Sequence, residues 1–174
     1  ARPDAYVSAR SKTGAATTAV STSTWTIDDM TITYAIEEDL DAEEIVDVLK
    51  RSGLAARRPV DEPGVIRGMV ENADLVISAR DGEGRPVGVA RSVTDFAYCC
   101  YLSDLAVDRE CQRQGIGKEL MRRTQEASGG GKVALLLLSA PDGMDYYRKA
   151  GLEKFDNCFG IRRTKRNQDD DQGL

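Results

Sequence analysis

The sequence predicts an α/β (α+β) fold: a mixed sheet of six to seven strands, partly antiparallel and partly parallel, flanked by helices on both faces. Three observations carry the prediction. Segments around 30–36, 74–80, 87–93 and 97–107 have strand character, two amphipathic stretches separate the first from the second, and the run KVALLLLS (132–139) is almost wholly apolar, as in a strand covered on both sides. Successive antiparallel strands followed by a strand, helix, strand crossover require a mixed sheet with helices on both faces.

Each element has a local reason. MTITYAI (30–36) alternates in period two, and DLDAEEIVDVLKRSGL (39–54) opens on Asp caps and sets Ile45, Val46 and Leu49 on one helical face. ARRPVDEP (56–63) holds two prolines and reads as a loop, VIRGMVENA (65–73) as a short helix, and DLVISAR (74–80) as a strand turned by DGEGRP into its partner at 87–93. AYCCYLSDLAV (97–107) is a long central strand, followed by a helix over about 115–127, the KVALLLLS strand, a short helix in GMDYYRKAG (143–151) and a last strand in FGIRR (159–163). Residues 1–28 are rich in Ser, Thr and Ala and read as a disordered leader, 29–164 as one domain, and 165–174 as a charged, solvated tail.

Composition narrows the function. With 174 residues, 41% of them hydrophobic, the chain supports one domain with a real core. A net charge of −5 argues against nucleic-acid or anionic-membrane partners, both of which need a broad cationic face. No apolar run reaches the roughly 20 residues of a membrane span, and the start lacks a secretory pattern, so a cytoplasmic location is the default expectation. Cys99, Cys100, Cys111 and Cys158 form no CxxC pair and read as free thiols, with Cys99 and Cys100 on opposite sides of a strand. Histidine is absent, which removes imidazole bases, Ser-His-Asp and Cys-His catalysis and His-ligated zinc, and no metal is expected. Acid and base work falls to Asp, Glu, Tyr, Lys or Cys.

The stretch from Leu105 to Lys118 holds a strand end, a loop and a glycine-bearing helix start, an arrangement that offers main-chain amides to a phosphate or pyrophosphate. Gly115 and Gly117 allow close approach, while Arg113, Lys118, Arg122 and Arg123 add local cations. QRQGIGKE lacks the Walker GK[ST], and Leu120 fills the third glycine place of a dinucleotide loop.

Gln112-x-x-Gly115-x-Gly117 resembles the Q/R-x-x-G-x-G/A signature of the GNAT superfamily of N-acetyltransferases, and DYYRKAGLEKF (145–155) is similar to that family's FYxKxGF element, with Tyr147 and Gly151 at its tyrosine and glycine. The resemblance runs from about 31 to 163. It implies acetyl-CoA as co-substrate, its pantetheine paired with the main chain of Leu105, Ala106 and Val107 and its pyrophosphate on the amides of Gln112, Arg113, Gln114, Gly115, Ile116, Gly117 and Lys118. It further implies Tyr147 as the acid that protonates the departing thiolate, and Asp104 as the base, directly or through water; the alternative role for Asp104 is a partner for a nearby Arg or a cap on a local backbone bend. Where the family often has Asn after its fifth strand this chain has SAPDGMD, so Ser139 or main chain takes that place, and Leu152 stands for the final Phe. Acceptor recognition in the family resides mainly in the first helices and their loop, here bearing Arg57, Arg58, Asp61 and Glu62. The implied activity is direct acetyl transfer to an amine of a small molecule or protein, with a catalytically silent acyl-CoA-binding module as the rival, and the family makes a homodimer the expected assembly.

Overall fold

In the computed structural model, which describes residues 24–27, 30–161 and 163, the alternating and apolar segments line up as one six-stranded sheet. The strands are β1 (Thr24–Ile27), β2 (Met30–Ile36), β3 (Leu75–Arg80), β4 (Pro86–Thr94), β5 (Cys99–Val107) and β6 (Ala134–Leu136), in that spatial order. All neighbours are antiparallel except β5 and β6, which are parallel because α3 (Ile116–Ser128) carries the chain across between them. The other helices are α1 (Ala42–Ser52), α2 (Pro63–Glu71) and α4 (Met144–Lys149). No described helix is long and apolar enough to cross a membrane.

Local chemistry sets these boundaries. Asp41 caps α1 by accepting from the Glu43 amide at 3.0 Å, and Pro63 opens α2 where its missing N–H is harmless. The β4–β5 turn is organised by one carboxylate oxygen: Asp95 Oδ1 accepts from the amides of Ala97, Tyr98 and Cys99 at 2.9, 2.7 and 3.0 Å. Those three N–H groups hold the Asp95 carboxyl down at about 2.

Two apolar layers cover the sheet. One gathers Ile32, Tyr34, Leu75, Ile77, Ala90 and Leu102 under Ile116, Leu120 and Met121 of α3, with Tyr147, Ala150 and Leu152 at its margin. The other packs Val76, Val89 and Ala106 against Ile45, Val48 and Leu49 of α1 and Ile66 of α2.

Four expectations change. Thr24–Ile27, read as part of a disordered leader, pairs with β2 in register Thr24↔Thr33 to Ile27↔Met30; residues 1–23 and the tail 165–174 lie outside the described residues. The KVALLLLS run forms only the three-residue strand β6, and only one side of it is covered: Leu135 and Leu137 join the α3 layer while Leu136 and Leu138 are exposed. The α1 and α2 layer on the other face gathers Val76, Val89 and Ala106 of β3, β4 and β5 and no residue of β6, so Leu136 and Leu138 are left uncovered among the described residues. The expected strand at FGIRR has no ladder partner among the described residues, and Phe159 and Ile161 stand fully in solvent. Arg123, expected to add a local cation beside the glycine-bearing turn, is 4% exposed: it turns inward to Glu119 at 2.8 Å and lies over the Tyr34 ring, 4.7 Å from its centroid.

Candidate active site

β5 is bonded to β4 along nearly its whole length, yet its pairing with β6 ends after three residues, Cys99↔Ala134 to Tyr101↔Leu136. From Leu102 to Val107 the edge facing β6 has no strand partner among the described residues. The two parallel strands thus part where the sequence places Leu105, Ala106 and Val107.

A bulge marks the same point. Arg91 pairs with Asp104 and Ser92 with Leu102, so Ser103 is the extra residue on β5. The bulge shifts the alternation by one: Leu102 faces the α3 layer, as do Leu105 and Val107, while Ala106 joins the α1 and α2 layer. Asp104, opposite Arg91, therefore lies on the α1 and α2 side.

There it is 1% exposed and fully engaged. Arg58 Nε donates to Oδ1, Arg91 Nε donates to Oδ2 at 2.5 Å, and Arg91 Nη2 donates to Ser103 Oγ at 2.8 Å. A carboxylate removed from water needs such partners for both oxygens. This is the geometry of the Arg-partner alternative. Sequence reasoning missed Arg91, although an arginine in the middle of the otherwise apolar VGVARSV was a signal that a buried anion lies opposite.

Beyond β5 the chain is fixed before α3 begins. The Asp108 amide donates to Val87 O at 2.9 Å, its side chain is ion-paired with Arg51, and the turn Arg109–Cys111 seats Cys111 in the core. Gln112 Nε2 donates to Val107 O at 2.9 Å, so this side chain caps the open strand end. Arg113 and Gly115 both adopt left-handed backbone, φ 63° and 86°. Gly115 is the N-cap of α3, and α3 has no side-chain cap bond there among the described residues. Gln114 Nε2 reaches Glu110 O at 3.4 Å, Ile116 is buried and contributes only main chain to this turn, and Arg113 and Lys118 are exposed beside it. Arg122 is occupied by Glu119 and Glu126.

The two motifs, some thirty residues apart in sequence, meet here. A Cβ built on Gly117 would lie 2.6 Å from the Tyr146 hydroxyl and 3.6 Å from Val107 Cγ2, so the bare helix start is what lets α4 approach. Tyr146 was not singled out from the sequence; its place in the FYxKxGF-like element was the available signal. Its ring meets that of Tyr147 edge-on, centroids 5.2 Å apart. Burial pushes the Tyr147 phenol up, and the positive charge of Arg58 works against that rise. The same guanidinium is the one paired with Asp104. Ser139 spends its proton on Ala140 O at 2.7 Å, and a Cβ on Gly143 would lie 3.0 Å from its Oγ, which sets it beside the start of α4. Cys99 is exposed and Cys100 buried, both free, as the strand alternation requires.

The parting of the mixed sheet after a three-residue parallel pairing, the bulge beside it and the glycine-bearing start of α3 lie together at one end of β5. Residues 72–154 match the family model described as the acetyltransferase (GNAT) domain. Among curated proteins it is similar to serotonin N-acetyltransferase 2, chloroplastic, from Oryza sativa subsp. japonica, 28% identical over 116 residues that cover 64% of this chain. The match spans 56% of that relative's length. Among solved structures it is similar to a GNAT family acetyltransferase from Streptococcus pneumoniae TIGR4, with TM-score 0.60, 23% identity and coverage of 78% of this chain and 99% of that one. It is also similar to a GNAT family N-acetyltransferase from Escherichia coli in complex with CoA, with TM-score 0.56, 23% identity and coverage of 70% and 68%.

Proposed function

We propose that the chain is an acetyl-CoA-dependent N-acetyltransferase that passes the acetyl group directly to an amine while both substrates are bound. The observation that carries this reading is an open strand edge at Leu102–Val107 lying one loop away from the uncapped start of α3. An extended, amide-bearing arm suits the first, because it offers donors and acceptors as a strand does. A pyrophosphate suits the second, because the unpaired amides and the helix dipole favour an anion.

Bound acetyl-CoA would supply the activated thioester. In this reading the main chain of Leu105, Ala106 and Val107 aligns it, and the amides from Gln112 to Lys118 hold its phosphates with Arg113 and Lys118 alongside. Main-chain N–H at the bulge polarises the acyl carbonyl. Tyr147 keeps its proton at neutral pH, since burial raises it from an already high value, and delivers that proton to the leaving thiolate. Asp104, with both oxygens taken by guanidinium groups, anchors the bulge, and the amine loses its proton to water. The name of the rice relative makes serotonin the first acceptor to try, followed by other small amines and by peptide amino groups.

The test begins with melting of the purified chain in acetyl-CoA, ATP and NAD. A ligand at about 100 times its dissociation constant contributes roughly 2.7 kcal/mol, so acetyl-CoA is expected to raise the midpoint and the other two are not. Tyr147→Phe is expected to lower kcat by roughly 100- to 10,000-fold with little change in acetyl-CoA binding. Failure of acetyl-CoA to stabilise the chain sinks the reading. The engaged state of Asp104 favours one rival, a silent acyl-CoA-binding module; binding without CoA release across the amine panel would select it.

A further inference from the structure

The buried carboxylate at the bulge has two guanidinium partners of different origin. Arg91 is on β4, directly opposite Asp104, and also donates from Nη1 to Met69 O at 3.2 Å. Arg58 comes from the loop between α1 and α2. Its Nη2 donates to Ser103 O at 2.8 Å, its Nε to Asp104 Oδ1, and its Nη1 to Arg57 O at 2.9 Å. Ser103 is the bulge residue without a partner on β4, so Arg58 satisfies a carbonyl that the sheet leaves over. The fork of the guanidinium spans this carbonyl and the carboxylate together, which a lysine ammonium, a single point of charge, does not. The Arg58 side chain is 21% exposed, against 7% for Arg91.

Resting on the function proposed above, we propose that Arg58 is a positioning residue: it latches the loop ahead of α2 onto the β5 bulge and thereby fixes there a positive charge that acts on Tyr147. A phenol that must release a proton becomes a better acid when a cation stands ready for the phenolate. Burial acts on Tyr147 first and the charge of Arg58 opposes it; the Tyr146 ring packs edge-on against it, and Asp104 pairs with Arg58 on β5. One side chain thus sets both the loop that borders the site and the strength of its acid.

Two variants and two readouts test this. The alkaline tyrosinate difference spectrum, with Tyr147→Phe as the subtraction, reports the Tyr147 midpoint without any substrate. Arg58→Gln removes the charge and is expected to move that midpoint upward; Arg58→Lys keeps the charge and is expected to leave it near the parent's. In turnover, Arg58→Gln is expected to lower kcat by roughly tenfold or more and to carry the basic limb of the pH profile upward, with KM for acetyl-CoA little changed. Arg58→Lys is expected to recover the limb and only part of kcat, because the latch to Ser103 O is lost. An unchanged Tyr147 midpoint in Arg58→Gln overturns the proposal, as does a basic limb that stays in place. If Arg58→Gln fails to fold, Arg58→Lys decides: full kcat would overturn the latch and a displaced midpoint would overturn the charge. If the parent chain neither binds nor uses acetyl-CoA, the functional reading falls, while the spectrum still tests where Arg58 places its charge.

Discussion

On the α3 side of β5, Leu102, Leu105 and Val107 meet Ile116, Leu120 and Met121. On the other side, a few ångströms of backbone away, Asp104 lies between Arg58 and Arg91. The first layer is a sum of many weak, non-directional contacts, and each lost methylene subtracts its share. The second is a cooperative unit whose charges have left water, so removing one member strands the others. Equal burial therefore conceals unequal tolerance. The bulge is the device that keeps the two apart, because in unbroken register, with Ser103 paired opposite Arg91, the alternation would set Asp104 on the same face as Leu102.

The sharpest way to break the contrast is Asp104→Ala, which leaves Arg58 and Arg91 facing each other and is expected to cost about 3–5 kcal/mol in denaturant unfolding. A loss well below 1 kcal/mol would mean that water already screens the pair. Asp104→Asn separates the two roles offered for this residue. An anchor predicts lower stability with the acidic limb of the pH profile in place, whereas a general base predicts that the limb is lost.

Leu120→Ala tests the apolar layer. The side chain is fully buried, and a loss of about 2–5 kcal/mol is expected, the exact figure depending on how far α3 settles onto β4. Tyr34 tests the one place where the α3 layer carries charge. Burial, reinforced by Glu119 and opposed by Arg123, pushes its phenol up to about 12. Below about pH 10 the phenol is neutral in folded and unfolded chains alike, and its contribution is intact. Between there and about 12 the unfolded chain ionises first, so stability falls by roughly 3 kcal/mol in total. Tyr34→Phe is expected to flatten that alkaline loss, read as the unfolding midpoint against pH; an unaltered slope would remove Tyr34 from the account. Smallest is Ser92→Ala. The Ser92 hydroxyl is buried with no partner in the described structure, and deleting it is expected to stabilise the chain by up to about 1 kcal/mol.

Much of this was legible in the sequence. Period-two alternation located β2 with both its ends, and the α1 caps and the glycine-bearing start of α3 were written in single residue types. The glycine pair and the YYRKAG element pointed to one site, and the structure brings Gly117 and Tyr146 together. What escaped depends on register. Nothing in AYCCYLSDLAV announces an extra residue at Ser103, because a bulge is defined by the partner strand. The engaged state of Asp104 needed Arg58 and Arg91, which lie 46 and 13 residues away along the chain. KVALLLLS misled because a continuous apolar run signals burial on both faces, whereas the α1 and α2 layer gathers no residue of β6 and leaves that face of it open among the described residues.

The open edge of β5 has a consequence for how this fold drifts over time. Under the proposed function the ligand is gripped there by peptide groups, which every residue except proline supplies alike. Side chains at 105–107 then answer only to the layers above and below, and they can be exchanged for others of similar volume without touching the grip. A site written in main chain survives extensive rewriting of its letters.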